Sequence, residues 1–175
     1  MKKIYSWFNR IKVIDIRQLG SKRIKIGKNP RFGHHTKFLS LDSSIIKIGN
    51  SPTFRNNVSL RSLKHGELII GDNVFMNNNV SITCMKSIRI ENDVRIANNV
   101  VIIDHDHDYR NDMKSFVTDN VIIEKGTWIG ANVVILRGTH IGEDCVIGAG
   151  NVVSGYIHKG TVLYPKNIIR GNENE

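Results

Sequence analysis

Large apolar residues recur every six positions along most of this chain: Ile70, Met76, Ile82, then Ile90, Ile96, Ile102, then Ile123, Ile129, Ile135, then Ile141, Ile147, Val153. A helix repeats every 3.6 residues and a half-buried strand every two, so a strict six-residue beat fits neither and describes an architecture made of the repeat itself. Four positions after the large residue stands a small or β-branched one, among them Val74, Val80, Val94, Val100, Thr127, Val133, Thr139 and Cys145. Between them lie turn formers such as Asp72-Asn73, Asn98-Asn99 and Glu143-Asp144, and Asn and Asp tolerate the positive φ of a tight corner. Each hexad therefore predicts one short strand and one corner, and three hexads predict one triangular coil. Stacked coils would bury the Ile/Val column down the middle.

Weaker hexads at Ile48, Phe54, Leu60 and at Ile26, Phe32, Phe38 carry the beat back to residue 26, giving about six coils. Coil starts at 26, 48, 70 and 90 are 22, 22 and 20 residues apart, which calls for small corner insertions. From 123 to 141 the interval is the uninterrupted 18, but from 90 to 123 it is 33. The excess predicts one excursion of about fifteen residues starting near Ile103, and long loops in a compact repeat protein are usually functional.

Three segments follow from the composition. Residues 23–165 carry the repeats and read as one domain, flanked by a basic segment over 1–22 and a tail over 166–175. The net charge of +9 is concentrated early: residues 1–37 hold eleven Lys or Arg against the single acid Asp15. Ile4, Trp7, Phe8, Ile11 and Ile14 fall at helical spacing among those cations, so 1–22 predicts a short basic amphipathic helix. It would either cap the open end of the first coil or dock on an anionic membrane surface. Nucleic-acid binding is disfavoured, because no recognised motif accompanies the charge. The absence of an apolar run of transmembrane length and of a cleavable leader makes a cytoplasmic protein the expectation. Cys84 and Cys145 have no metal-ligand spacing.

The excursion opens Asp104-His105-Asp106-His107-Asp108. Histidine titrates nearest neutrality, and a neighbouring carboxylate can fix its tautomer, so a histidine at the base of a loop on a rigid scaffold is a candidate general base. An Asp/His divalent-metal site and a solvated polar loop are the two other readings of the same residues.

These hexads, with Trp128-Ile129-Gly130, Val146-Ile147-Gly148-Ala149-Gly150 and an Asp/His loop between coils, resemble the hexapeptide-repeat acyltransferases. The resemblance is to the maltose/galactoside O-acetyltransferases and the related capsule and lipopolysaccharide O-acetyltransferases, and it spans roughly residues 45–170. It implies a left-handed parallel β-helix, an exception to the usual right-handed crossover. It also implies a homotrimer with active sites between subunits, and transfer of acetyl from acetyl-coenzyme A to a sugar hydroxyl with no metal required. The family's catalytic histidine falls on His105, with His107 as the alternative, and Asp104 is placed either to orient the ring or to be solvated. Trp128, Gly130, Ala131 and Ala149 match the segments whose backbone amides hold the pantetheine arm. Ala131 stands where the galactoside enzymes have Ser.

Ser154, Lys159, Lys166 and Arg170 match the last coil and tail that meet the nucleotide end of the cofactor, although Leu163-Tyr164-Pro165-Lys166 departs from the family's ending. Asn77 aligns with an asparagine that contacts the acceptor sugar, and is also a favoured corner residue. The resemblance thus points to O-acetylation of a polysaccharide or glycan precursor. N-acetylation of a nucleotide-linked amino sugar and a non-catalytic scaffold are the alternatives. A zinc lyase on the same fold would need a pair of histidines five positions apart, and none is present.

Overall fold

The computed structural model describes residues 23–165, so the basic segment 1–22 and the tail with Lys166 and Arg170 lie outside the described residues. Within a strand the residues alternate in and out, as in Ser87–Ile90, where Ile88 and Ile90 are buried and Arg89 is exposed. A corner then resets the phase, which is how a two-residue pleat yields a six-residue beat. Strand on strand, like meets like. Ile90 pairs with Ile70 and Ile123, Ile96 with Met76 and Ile129, and Ile102 with Ile82 and Ile135. The core is therefore one continuous column of fully buried Ile, Val, Leu and Met, with Phe38 and Phe54 at its N-terminal end.

The strands form three parallel sheets. The first runs over seven strands from Ile24–Ile26 to Tyr156–Ile157, the second over seven from Arg31–Phe32 to Val162–Leu163, and the third over six from Lys37–Ser40 to Val152–Val153. The described residues are all-β and wind as the expected left-handed parallel β-helix. Six complete coils occupy 24–40, 45–62, 67–84, 87–103, 121–135 and 140–153, and two sides of a seventh end at 163. The prism has three edges, made by the first corners (first to second sheet), the second corners (second to third) and the third corners (third back to first).

Corner chemistry follows the backbone. Asn57, Asn79, Asn99 and Asn132 hold φ near +60° along the second edge, with Asn73, Asp93 and Asp144 doing so along the first. Gly130 is required by crowding, since a Cβ there would stand 2.6 Å from the Ala149 amide nitrogen of the next coil. The early insertions enlarge the third corners at 41–44 and 63–66. Their inward serines are buried but bonded: Ser44 Oγ donates to the Ser62 carbonyl (2.6 Å) and Ser62 Oγ to the Gly66 carbonyl (2.9 Å).

The excursion is an antiparallel hairpin, with strands His105–Asp108 and Asp112–Thr118 in which His105 faces Thr118 and His107 faces Phe116. It leaves the prism at the third edge after Ile103 and rejoins it before Val121.

Candidate functional site

Asp104 is the last inward residue before the hairpin, one position beyond the Ile103–Thr83 pair and level with Cys84. It is fully buried, where an unsatisfied carboxylate would be costly. Three backbone amides converge on it. Met85 N–H donates to Oδ1 (2.8 Å), and the N–H groups of Lys86 (2.8 Å) and Ser87 (2.9 Å) donate to Oδ2. The Cys84 thiol and His105 also bond it, with His105 Nδ1 3.1 Å from Oδ1. With Nδ1–H donated to the carboxylate, the lone pair lies on His105 Nε2. The imidazole is itself only 14% exposed, with the Phe116 ring edge-on at 5.7 Å. Asp104 is thus a buried, fully bonded group that orients the ring, and the solvated placement is not the one it adopts. Burial, reinforced by the Asp104 charge, pushes the Cys84 thiol far above its ordinary range, which leaves it a packing group and no nucleophile.

His107 is exposed and holds the Met113 carbonyl through Nδ1 (2.7 Å), with its ring 4.5 Å from Phe116. It has no carboxylate partner, so it lacks the support that a developing imidazolium would need. Two ion pairs pin the hairpin to the prism, Arg137 with Asp106 and Lys86 with Asp119. The Asn120 N–H, followed by Lys86, holds the exposed Asp119 carboxyl below its ordinary value. Exposed pairs of this kind contribute little individually, but together they fix where the hairpin stands.

The second edge shows a different chemistry. In the early coils its corner amides are capped by side chains: His34 N–H by Asn56 Oδ1, Asn56 N–H by Asn78 Oδ1, and Asn78 N–H by Asn77 Oδ1. A second rail of amide side chains joins Asn57, Asn79, Asn99 and Asn132 at 3.0–3.1 Å. Both end where the sequence turns to Ala131 and Ala149-Gly150. An alanine offers no acceptor, so among the described residues the amides of Asn98, Ala131 and Ala149 meet none. Gly130 N–H remains in the ladder, bonded to the Ile147 carbonyl at 2.7 Å. Trp128 stands half-exposed on the second sheet beside this open stretch. The edge from 98 to 149 thus presents a row of unpaired N–H donors next to an indole face, a surface fitted to a chain carrying amide carbonyls.

The other candidates are dispersed. Asn77 lies on the second edge, where its Oδ1 is used by Asn78. Ser154 is exposed at a third corner, and Lys159 sits on the first edge, ion-paired to Glu143. His105 and the open amides border opposite sides of the third sheet, so one chain does not bring them together. Among the described residues no group of three His, Cys, Asp or Glu is arranged to hold a metal. Sequence reasoning missed Phe116, which packs on both loop histidines, and the Asp106–Arg137 pair, because cross-strand partners depend on hairpin register. Of the open amides, the resemblance pointed to those of Ala131 and Ala149 but not to that of Asn98.

Two segments match family models: residues 120–155 match the bacterial transferase hexapeptide (six repeats), and residues 67–103 the hexapeptide repeat of succinyl-transferase. None of the curated proteins compared with the chain matches its sequence significantly. Solved structures share the fold. A mutant of AntD, an N-acyltransferase from Bacillus cereus in complex with dTDP and coenzyme A, superposes with a TM-score of 0.67 at 20% identity, over 82% of this chain and 80% of that one. A putative acetyltransferase from Bacillus cereus gives 0.55 at 20% identity, over 79% and 70%. The hexapeptide-repeat acetyltransferase VCA0836 from Vibrio cholerae gives 0.53 at 24%, over 76% and 64%.

Proposed function

We propose that this chain, whose hexapeptide-repeat segments match transferase family models, is a hexapeptide-repeat acyltransferase that transfers acetyl from acetyl-coenzyme A to a sugar hydroxyl of a polysaccharide or glycan precursor. The observation that carries this reading is the Asp104–His105 pair, in which three amides fix a buried carboxylate and the carboxylate fixes the ring. His105 Nε2 accepts the proton of the acceptor hydroxyl as its oxygen bonds to the thioester carbon. The carbon–sulfur bond then breaks, and the same proton passes to the departing thiolate. Asp104 stabilises the imidazolium between the two transfers. General-base assistance of this kind contributes about 10²–10⁴-fold, and holding both substrates in one crevice supplies much of the remainder. A neutral hydroxyl is a weak nucleophile that gains most from such a base, whereas an uncharged amine is already strongly nucleophilic, which favours O- over N-acetylation.

Acetyl-coenzyme A enters as a substrate. Its pantetheine carbonyls would accept from the amides of Asn98, Ala131 and Ala149, along Trp128, with Ser154, Lys159, Lys166 and Arg170 toward its nucleotide end. A second copy whose second edge faces this third edge would unite His105 with those amides, and closing that contact cyclically gives a homotrimer. The basic segment 1–22 would hold the enzyme at the inner face of a membrane that carries the acceptor.

The test is thiol release from acetyl-coenzyme A over a panel of oligosaccharides and amino sugars, for wild type and His105→Ala. Hydroxyl-dependent release that falls at least about a hundredfold in the variant is expected. Release only with amine acceptors would replace the reading by N-acetylation, and neither release nor coenzyme binding would leave a scaffold. A monomeric mass by light scattering would remove the shared site.

A further inference from the structure

Non-glycine residues in left-handed backbone are nearly all Asn or Asp in this protein; among the described residues the exceptions are His35, Ser51 and Lys64. Lys64, at φ +57° in the enlarged third corner of the second coil, is the one long side chain among them. Lysine has no local hydrogen bond to offset that conformation, so the position sacrifices backbone comfort for what the side chain reaches. Its ammonium stands 4.6 Å from the centroid of Phe116, the same ring that packs on His105 and His107. Those separations put the charge within about 10 Å of the His105 ring.

The charges around it do not balance. The carboxylates of the hairpin and its base are engaged: Asp104 with three amides and His105, Asp106 with Arg137, Asp119 with Lys86, Asp108 with Asn111, and Asp112 with the Lys114 N–H. Lys64 and Arg61 have no carboxylate partner among the described residues, and both are exposed. Arg61 lies on the outer face of the third sheet, in the file Arg61, Thr83, Ile103 that leads to the base of the hairpin.

We infer that Lys64, with Arg61 behind it, holds an anionic group of the acceptor, a carboxylate or a phosphate, and so delivers the neighbouring hydroxyl to His105. The inference rests on the transferase reading for what is delivered, but not for the anion site itself. Phe116 takes the cation on one side and the histidines on another, so the anchor and the base share one wall. A charge-assisted contact of this type discriminates against a neutral analogue by about tenfold or more, and is weakened by salt.

The experiment measures binding of two matched pairs to the full chain with coenzyme A present: a hexuronate tetrasaccharide against its carboxyl-reduced form, and a hexose 6-phosphate against the free hexose. At least one anionic member should bind about tenfold more tightly than its neutral twin, the preference shrinking as salt is raised. The pair that shows the preference identifies the anion. Lys64→Asn should abolish it while the melting temperature holds or rises, because Asn suits left-handed backbone better; Lys64→Arg, which keeps the charge, should retain it. Lys64→Gln gives the same reading should the Asn variant not fold. Equal affinities within both pairs, no binding of either anion, or a preference that survives loss of the charge would overturn the inference. Thiol release measured alongside separates the two readings: anion preference without release ends the transferase reading alone, and release with equal affinities ends this one alone.

Discussion

The second and third edges of the prism are built from the same hexads and bound the same sheet, yet they treat their polar groups in opposite ways. Along the third edge polarity is brought inside and closed: Ser44, Ser62 and Asp104 are buried, and each is bonded. Along the second edge only Thr36 is a buried polar side chain; the edge's asparagines are linked outside the prism as far as Asn132, while the amides of Asn98, Ala131 and Ala149 meet no acceptor among the described residues. A closed group fixes geometry and an open one awaits a ligand. The third edge is therefore suited to holding a base still, and the second to receiving a chain of carbonyls.

The strongest way to break this contrast is to open the closed edge. Asp104→Ala leaves the amides of residues 85–87 without their acceptor and His105 without its partner. The expected loss is about 3 kcal/mol, a fall in melting temperature of roughly 10 °C, with transfer activity reduced at least as far as in His105→Ala. Asp104→Asn, which still offers an oxygen to the amides, should recover much of the stability and little of the activity. A thermal melt equal to wild type for the alanine variant would show that the carboxylate is not structural.

The converse change closes the open edge. Ala149→Asn places an acceptor where the Ala131 amide now has none, extending the Asn56–Asn78 pattern by design. Coenzyme binding measured by calorimetry should weaken about tenfold while stability is unchanged or slightly raised, by the worth of one hydrogen bond. Unaltered coenzyme affinity would remove the open amides from the site.

Within the closed part of the second edge, Asn79→Ala cuts the rail between Asn57 and Asn99. About 1 kcal/mol of stability should go, by denaturant titration, with turnover untouched. An effect on turnover would mean that the rail serves the site as well as the fold.

The first edge sharpens the comparison least but cleanly, since its later corner amides are capped by acids: Lys125 N–H by Glu91 and Glu143 N–H by Glu124. There the Lys159 hydrogen bond, followed by that of Lys125, holds the Glu143 carboxyl below its ordinary 4.5. A carboxyl lowered on folding stabilises fully above its unfolded value and loses that contribution as pH falls through the folded one. Glu143→Gln should therefore lower stability near neutrality, where the wild type holds the full contribution, and converge with wild type as pH falls below the ordinary 4.5. An acid limb identical to wild type would show that this exposed cluster contributes nothing.

Much of this was legible in residue order. The beat marked most of the inward column but not Ile46, Ile88 or Val121, which stand two positions before it; the 33-residue gap marked the hairpin, and Asp104-His105 its chemical end. What could not be read was direction. Asp104 faces inward and His105 only because the strand of coil four runs one residue further than its hexad before the hairpin leaves. Asp106 meets Arg137, and Phe116 meets Lys64, across contacts 31 and 52 positions apart that the period does not encode.

By itself the sequence determined that this chain must coil, because six-residue periodicity satisfies its apolar column only when stacked. It also determined where the coil is interrupted and which residue types stand there. Only the tertiary structure decided which amides are capped and which are open, which carboxylate is buried behind the imidazole, and that one lysine is drawn over the hairpin's phenylalanine. Those outcomes depend on which coil sits above which, and hydrogen bonds and charge contacts a few ångströms long are set by that stacking and not by order along the chain.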